Sequence, residues 1–200
     1  METPKLEGNA WAAAAKAFRT LPQLIERWKA AAEKLAALAD RLTNQLEQSD
    51  CVQRADMKRL EVASLPDFRS RLLGKIDGEM TRILCSVTRE TDKLKAVFEE
   101  AERLYEKLGL AAEKCAERHP TSVSSRSPTK PSLEELVTAL DQLLLMLKRK
   151  LSSLDKNVNG CSSADQKVIE AIKSADCASL EDKRVVSDVL MLSNVMVKSA

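Results

Sequence analysis

The sequence predicts an all-α protein, and three observations carry the prediction. Ala, Leu, Glu, Lys and Arg dominate, while aromatic residues make up only 3% of the chain and there are 5 glycines. The dominant residues lose little rotamer freedom in a helix, whereas strands favour β-branched and aromatic side chains. Apolar residues recur at alternating steps of three and four over long stretches, as on a helix with one buried stripe. Two of the later stretches open on capping boxes, Ser132 to Glu135 and Ser163 to Gln166, a signature of helix N-termini. At 44% hydrophobic the chain can bury a core. The expected architecture is an elongated helical bundle, with long antiparallel amphipathic helices and a short C-terminal helical pair.

The first helix is expected from Asn9 to about Gln48. Leu21, Leu24, Trp28, Ala31, Leu35, Leu38 and Leu42 form its stripe. Pro22 lies inside that run. A proline within a helix removes one hydrogen bond and clashes with the preceding turn. A kink or restart is expected there, with residues 1–20 as a separate arm. A break is expected around Ser49 to Val52, then a short helical piece from Ala55 to Ala63. Ser64 is a candidate cap for the next helix, with Pro66 and Asp67 suited to its first turn.

That second long helix has the clearest pattern. Leu73, Met80, Val87, Leu94, Ala101 and Leu108 share one heptad position, and Ile76, Ile83, Glu90, Val97, Leu104 and Ala111 share the other. Glu90 is the polar lapse in the seam. Leu84, Phe98 and Tyr105 widen the stripe, which suits bundle packing. Gly74 and Gly78 weaken the first turns by about 1 kcal/mol each relative to Ala.

Residues 21–118 therefore read as a long helical hairpin, and 119–131 as a flexible Ser/Pro linker. Residues 132–200 read as C-terminal helices packing on the hairpin. The third long helix starts at its Ser132 box and carries a wide stripe from Leu133 to Leu154. It ends near Asn157 to Gly160. A short helix follows from Ser163 to about Lys173. Ser179 caps a last helix, in which Val186, Val189, Leu190, Leu192 and Val197 are expected to be partly buried.

Composition also limits chemistry. The net charge is +2, with 32 basic and 30 acidic residues, and the signs are interspersed as on solvated helix faces. A dedicated nucleic-acid binder carries a clear basic excess, so direct nucleic-acid binding is not expected. Cys51, Cys85, Cys115, Cys161 and Cys177 are an odd set without Cys-x-x-Cys spacing, which argues against a disulfide framework or zinc site. No stretch approaches the ~20 apolar residues of a membrane span, and no signal-peptide pattern opens the chain. An intracellular protein is expected.

The one histidine, His119, lies in the linker. Its functional alternative is a proton shuttle, or a ligand with Cys115; a metal site needs three or four ligands, so a solvated linker residue is the simpler reading. Phosphate-binding loops, nucleophile elbows and His-Glu-x-x-His motifs are absent from the sequence. Catalysis needs titratable groups gathered at one site, and no enzyme activity or cofactor is expected. Lys148, Arg149 and Lys150 complement a helix C-terminus or, alternatively, contact an acidic protein surface or an RNA phosphate. Ser127-Pro128-Thr129-Lys130 has the form of a proline-directed kinase site, and Ser127 is a candidate phosphorylation position.

Three segments in order carry a family resemblance. They are the N-terminal helix with Phe18 and Trp28; Leu65, Pro66, Asp67, Phe68, Arg69, Ser70, Arg71 and Leu72 at the head of the longest helix; and Leu147-Lys148-Arg149-Lys150 followed by Leu151-Ser152-Ser153-Leu154. Together they resemble the small helical ribosome-maturation factor that partners an AAA ATPase of the Afg-two type, the chromosome 1 open reading frame 109 family. The resemblance implies a non-enzymatic adaptor subunit of a heteromeric AAA ATPase. Its further partners would be a second small helical adaptor protein and, through the complex, the pre-ribosomal particle. It implies action in cytoplasmic maturation of the large ribosomal subunit, a role in replication-linked proteostasis, and a cytoplasmic and nuclear location. Leu65 to Arg69, Arg71, Leu72 and Lys148 to Lys150 are the expected partner-binding residues. The heptad seams alone leave open a structural coiled-coil subunit of a tethering or cytoskeletal complex.

Overall fold

In the computed structural model the described residues are 3–56, 67–118, 123–124, 131–158, 166–177 and 179–198, with side chains from Glu7 onward. They form α-helices and no strand, in the order α1 (Thr3–Arg54), α2 (Phe68–Arg118), α3 (Leu133–Val158), α4 (Gln166–Lys173) and α5 (Leu180–Lys198). The fold is an all-α bundle. It divides into two compact units. Unit 1 comprises residues 1–30, 94–151 and 177–200; unit 2 comprises residues 31–93 and 152–176.

α1 begins earlier than expected, at Thr3 rather than Asn9, and runs through Pro22 to Arg54. No restart occurs at the proline. Ala17, Phe18 and Leu21 before it and Leu24, Ile25 and Trp28 after it are all buried in unit 1. Each large apolar side chain buried contributes roughly 1.5–3 kcal/mol, which together outweighs the ~3 kcal/mol that an interior proline costs. The expected separate arm is therefore part of this core, with Ala10 and Ala14 also at 0% exposure. The break expected at Ser49 to Val52 is absent as well. There, an Asp50–Arg54 pair at 2.9 Å spans one helical turn.

The core of unit 1 closes where four segments converge. Leu24 and Trp28 of α1, Val97 and Ala101 of α2, Leu143 and Leu147 of α3, and Val186 of α5 surround a void of about 10 Å³. That is barely room for one water, so the packing is tight. The unit is tied at its surface by Arg27 donating to Glu100 at 2.7 Å. Burial raises the Tyr105 hydroxyl pKa, and the Asp141 charge, the hydrogen bond to Asp141 and the Glu113 charge add to it.

Unit 2 packs α1 residues Leu35, Ala39 and Leu42, α2 residues Ile76, Ile83 and Val87, Leu154 at the end of α3, and Val168, Ile169 and Ile172 of α4. Lys173 pairs with Asp40 at 2.9 Å, and Arg41 with Glu79 at 2.7 Å.

The stripes depart from strict heptads in a consistent way. Leu38 is half-buried and Ala39 buried; Thr91 is buried beside half-buried Glu90; Ala111 is half-buried and Ala112 buried. A straight helix drifts by about 20° per heptad against a seven-residue repeat, so the buried face moves to the following residue. Thr91 tolerates burial because its hydroxyl donates to the Val87 carbonyl at 3.0 Å. Glu90 gives one carboxylate oxygen to Lys93 at 2.7 Å, while the other is buried without a hydrogen-bond partner.

The caps are as anticipated where they are described. Ser132 N–H donates to Glu135 at 2.9 Å, and Glu135 N–H donates to the Ser132 hydroxyl at 3.1 Å. Asp182 N–H donates to Ser179 Oγ at 3.1 Å. Ser163, Ser64 and most of the expected 55–63 helix lie outside the described residues. Ala55 and Asp56, which are described, are not helical. Val197 is 55% exposed, contrary to expectation, and Ser193 and Met196 are buried instead.

Candidate partner-binding surfaces

The head of α2 is built around an unusual backbone. Asp67 has φ 57°, the left-handed region that Asp tolerates better than most residues. Its carbonyl accepts the first helical hydrogen bond, from Arg71 N at 2.9 Å. Asp67 is thus the residue before the helix, not part of its first turn as expected. Arg69 donates to the Ala55 carbonyl at the end of α1. Asp67, Arg69 and Arg71 are exposed, and Phe68 and Leu72 half-buried. Leu65 and Pro66 lie outside the described residues.

Leu72 leads into a groove of about 800 Å³ in unit 2. Gln48, Cys51 and Val52 of α1 line one side, and Leu72, Lys75 and Ile76 of α2 the other. This groove joins the predicted Asp67–Leu72 segment to the last turns of α1, which the sequence did not single out.

The basic trio at 148–150 belongs to unit 1, and its members differ. Lys148 and Arg149 are exposed. Lys150 instead pairs with Asp182 of α5 at 2.9 Å, with side chains only 13% and 15% exposed. Burial alone would raise the Asp182 carboxyl, but hydrogen bonds from Ser179 and Lys150 and the charges of Lys150 and Arg149 outweigh it. The net pKa lies below the ordinary carboxylate value. Lys150 therefore locks α3 to α5, and the exposed positions of the trio reduce to Lys148 and Arg149.

A second groove, about 550 Å³, runs along α5 in unit 1 between Lys29, Cys177 and the side chains of Lys183, Val186, Leu190 and Met191. Sequence reading missed it. The signal was present: Leu180 and Met191 fall on the solvent side of a helix whose core face is Val186, Val189, Ser193 and Met196.

Other chemistry finds no assembly point among the described residues. No group of three or more His, Cys, Asp or Glu side chains is placed to hold a metal ion. Cys51, Cys85, Cys115 and Cys177 are not joined in disulfides. No described helix is long and apolar enough to cross a membrane. Ser127 and His119 lie outside the described residues.

What these features define is a helical-bundle protein whose distinctive surfaces are grooves between helices and exposed basic and apolar side chains. A family model described as ribosome biogenesis protein C1orf109-like matches residues 11–195. The chain belongs to that family, whose name places its role in ribosome biogenesis. No curated protein matches the chain.

Proposed function

We propose that the chain is a non-enzymatic adaptor subunit of a heteromeric AAA ATPase complex. The complex acts in cytoplasmic maturation of the large ribosomal subunit by recycling assembly factors, and also serves replication-linked proteostasis. The adaptor is cytoplasmic and nuclear. It engages ATPase subunits and a second small helical adaptor in the helix-in-groove mode. Asp67 to Leu72, Lys148 and Arg149 provide the contacts, with Leu65 and Pro66 extending the first of them.

The observation that carries this reading is the span of the family match, residues 11–195, which takes in every segment that bears the resemblance. Two open grooves between helices support a binding role. Purification of the tagged protein from its own cells is the test. An AAA ATPase and large-subunit pre-ribosomal proteins are expected to co-purify, and absence of both overturns the proposal. The purified chain alone should hydrolyse no ATP.

The lengths of α1 and α2, 52 and 51 residues, favour a second reading as a structural coiled-coil subunit. Against it, adjacent pairs such as Leu24-Ile25 and Ala31-Ala32 are buried together, a wider face than a two-stranded seam. Light scattering separates the two, since a stable homo-oligomer would favour the coiled coil.

A further inference from the structure

Among the described residues, Leu180, Met191 and Val197 of α5 are 88%, 59% and 55% exposed, and only Leu110 and Leu145 join them as exposed large apolar side chains. Scattered apolar residues need no explanation; of these five only Met191 lines a groove, the one along α5, where half-buried Leu190 and buried Val186 adjoin it. The α5 groove gathers Val186, Leu190 and Met191 beside Lys29 and Lys183, and no carboxylate lines it.

The charge distribution around α5 is one-sided. At 100° per residue, Lys183, Leu190, Met191, Asn194 and Lys198 fall within about 60° of Ser187 around the helix. The acidic residues of α5 fall about 100–140° away from it. Asp182 is engaged by Lys150 at 2.9 Å, and Asp188 lies 4.0 Å from Arg184. Lys29 is answered by Glu26 at 2.9 Å, whereas Lys183 has no carboxylate partner among the described residues.

We propose that the α5 groove, centred on Lys183, Leu190 and Met191, docks an acidic amphipathic helix of another protein. This rests on the reading that the chain works by binding proteins, and adds a surface and a partner chemistry to it. Apolar side chains at i, i+3/i+4 and i+7 of the incoming helix fill the floor, and its flanking Asp or Glu residues meet Lys183 and Lys198. A second copy is disfavoured, because a two-fold contact would set this same cationic face against itself. Single-stranded RNA is disfavoured because α5 has no aromatic residue on which a base could stack. An anionic membrane is disfavoured because the principal apolar face of α5 is already spent in the core.

The test places a photo-cross-linking amino acid at Met191 of the full-length chain, in its own cells, and sequences what it captures. The expected adduct is a protein segment of net negative charge with helical apolar spacing. Lys183→Glu should reduce its recovery about tenfold, the equivalent of ~1.4 kcal/mol. Reversal of the facing acidic residue to Lys should restore it. Circular dichroism of Lys183→Glu, unchanged from wild type, keeps the comparison on binding. The proposal is overturned by an adduct to RNA, to lipid, to a second copy or to a basic segment, by no adduct, or by failure of the charge swap. An ATPase that still co-purifies in those cases leaves the adaptor reading standing.

Discussion

Removing one side of the Lys150–Asp182 pair should cost far more than removing both. The charges meet at 2.9 Å with 13% and 15% of their side chains exposed. Coulomb's law at an effective dielectric of 20 gives an attraction of about 6 kcal/mol at that distance. Desolvation of two largely buried ions cancels most of it. Lys150→Met leaves the Asp182 carboxylate buried with only Ser179 and the more distant Arg149 charge to answer it, at a cost of about 2 kcal/mol. The combined change with Asp182→Leu strands no charge and should fall within about 1 kcal/mol of wild type. Urea denaturation followed by far-ultraviolet circular dichroism measures all three, and the loss in Lys150→Met corresponds to a Tm drop of about 4–8 °C. The pH dependence supplies an independent check. Because the folded pKa of Asp182 is lowered, the folded state binds fewer protons than the unfolded state between the two pKa values. Its contribution is fully present above the unfolded pKa and is lost as pH falls through the folded one. Asp182→Asn should flatten that acid limb. Additive single-variant losses, or an acid limb unchanged in Asp182→Asn, would refute the assignment of Lys150 as a lock.

Three further substitutions probe the same logic elsewhere. Ser132→Ala removes half of a capping box at a residue only 4% exposed, and should lower stability by about 1 kcal/mol in the same denaturation assay. Gly74→Ala and Gly78→Ala place a Cβ where no heavy atom lies within 4 Å, so each should stabilise by about 1 kcal/mol; a loss would reveal an unseen contact. Glu90→Leu replaces a carboxylate with one buried, unpartnered oxygen, and should raise the free energy of unfolding by about 1 kcal/mol or less. A clear loss would mean that the oxygen is satisfied by something bound.

Local signals were legible wherever a few neighbouring residues decide the outcome. The Ser132 and Ser179 caps, the α3 stripe from Leu133 to Leu154 and the end of α4 at Lys173 follow from short-range chemistry. Pro22 was misjudged because its penalty is local, while the compensation from Phe18, Leu21 and Trp28 comes from partners far along the chain. The substitution of Thr91 for Glu90 on the buried face was hidden for a related reason, since only the packed geometry shows where helical drift falls. Of the candidate site, Asp67 to Leu72 and Lys148 to Arg149 were visible as segments. Lys150 looked like its neighbours, and nothing in the sequence distinguishes a cation at a surface from one turned inward to Asp182, 32 residues on. Both grooves depend on tertiary placement, and their one sequence mark was the solvent-side apolar residues of α5, Leu180 and Met191.

The discontinuous make-up of the two units bears on how the chain must be synthesised. Unit 1 needs residues 177–200 beside residues 1–30, and unit 2 needs 152–176 beside 31–93. Neither can assemble from a continuous stretch, and both wait until most of these 200 residues have left the ribosome. During that interval the apolar stripes of α1 and α2 have no α3, α4 or α5 to cover them. A nascent chain in that condition is a natural client for chaperones. A transcript truncated near residues 119–131 would yield a product with neither core complete, so premature stop codons there should deplete the protein by degradation instead of leaving a shortened working chain.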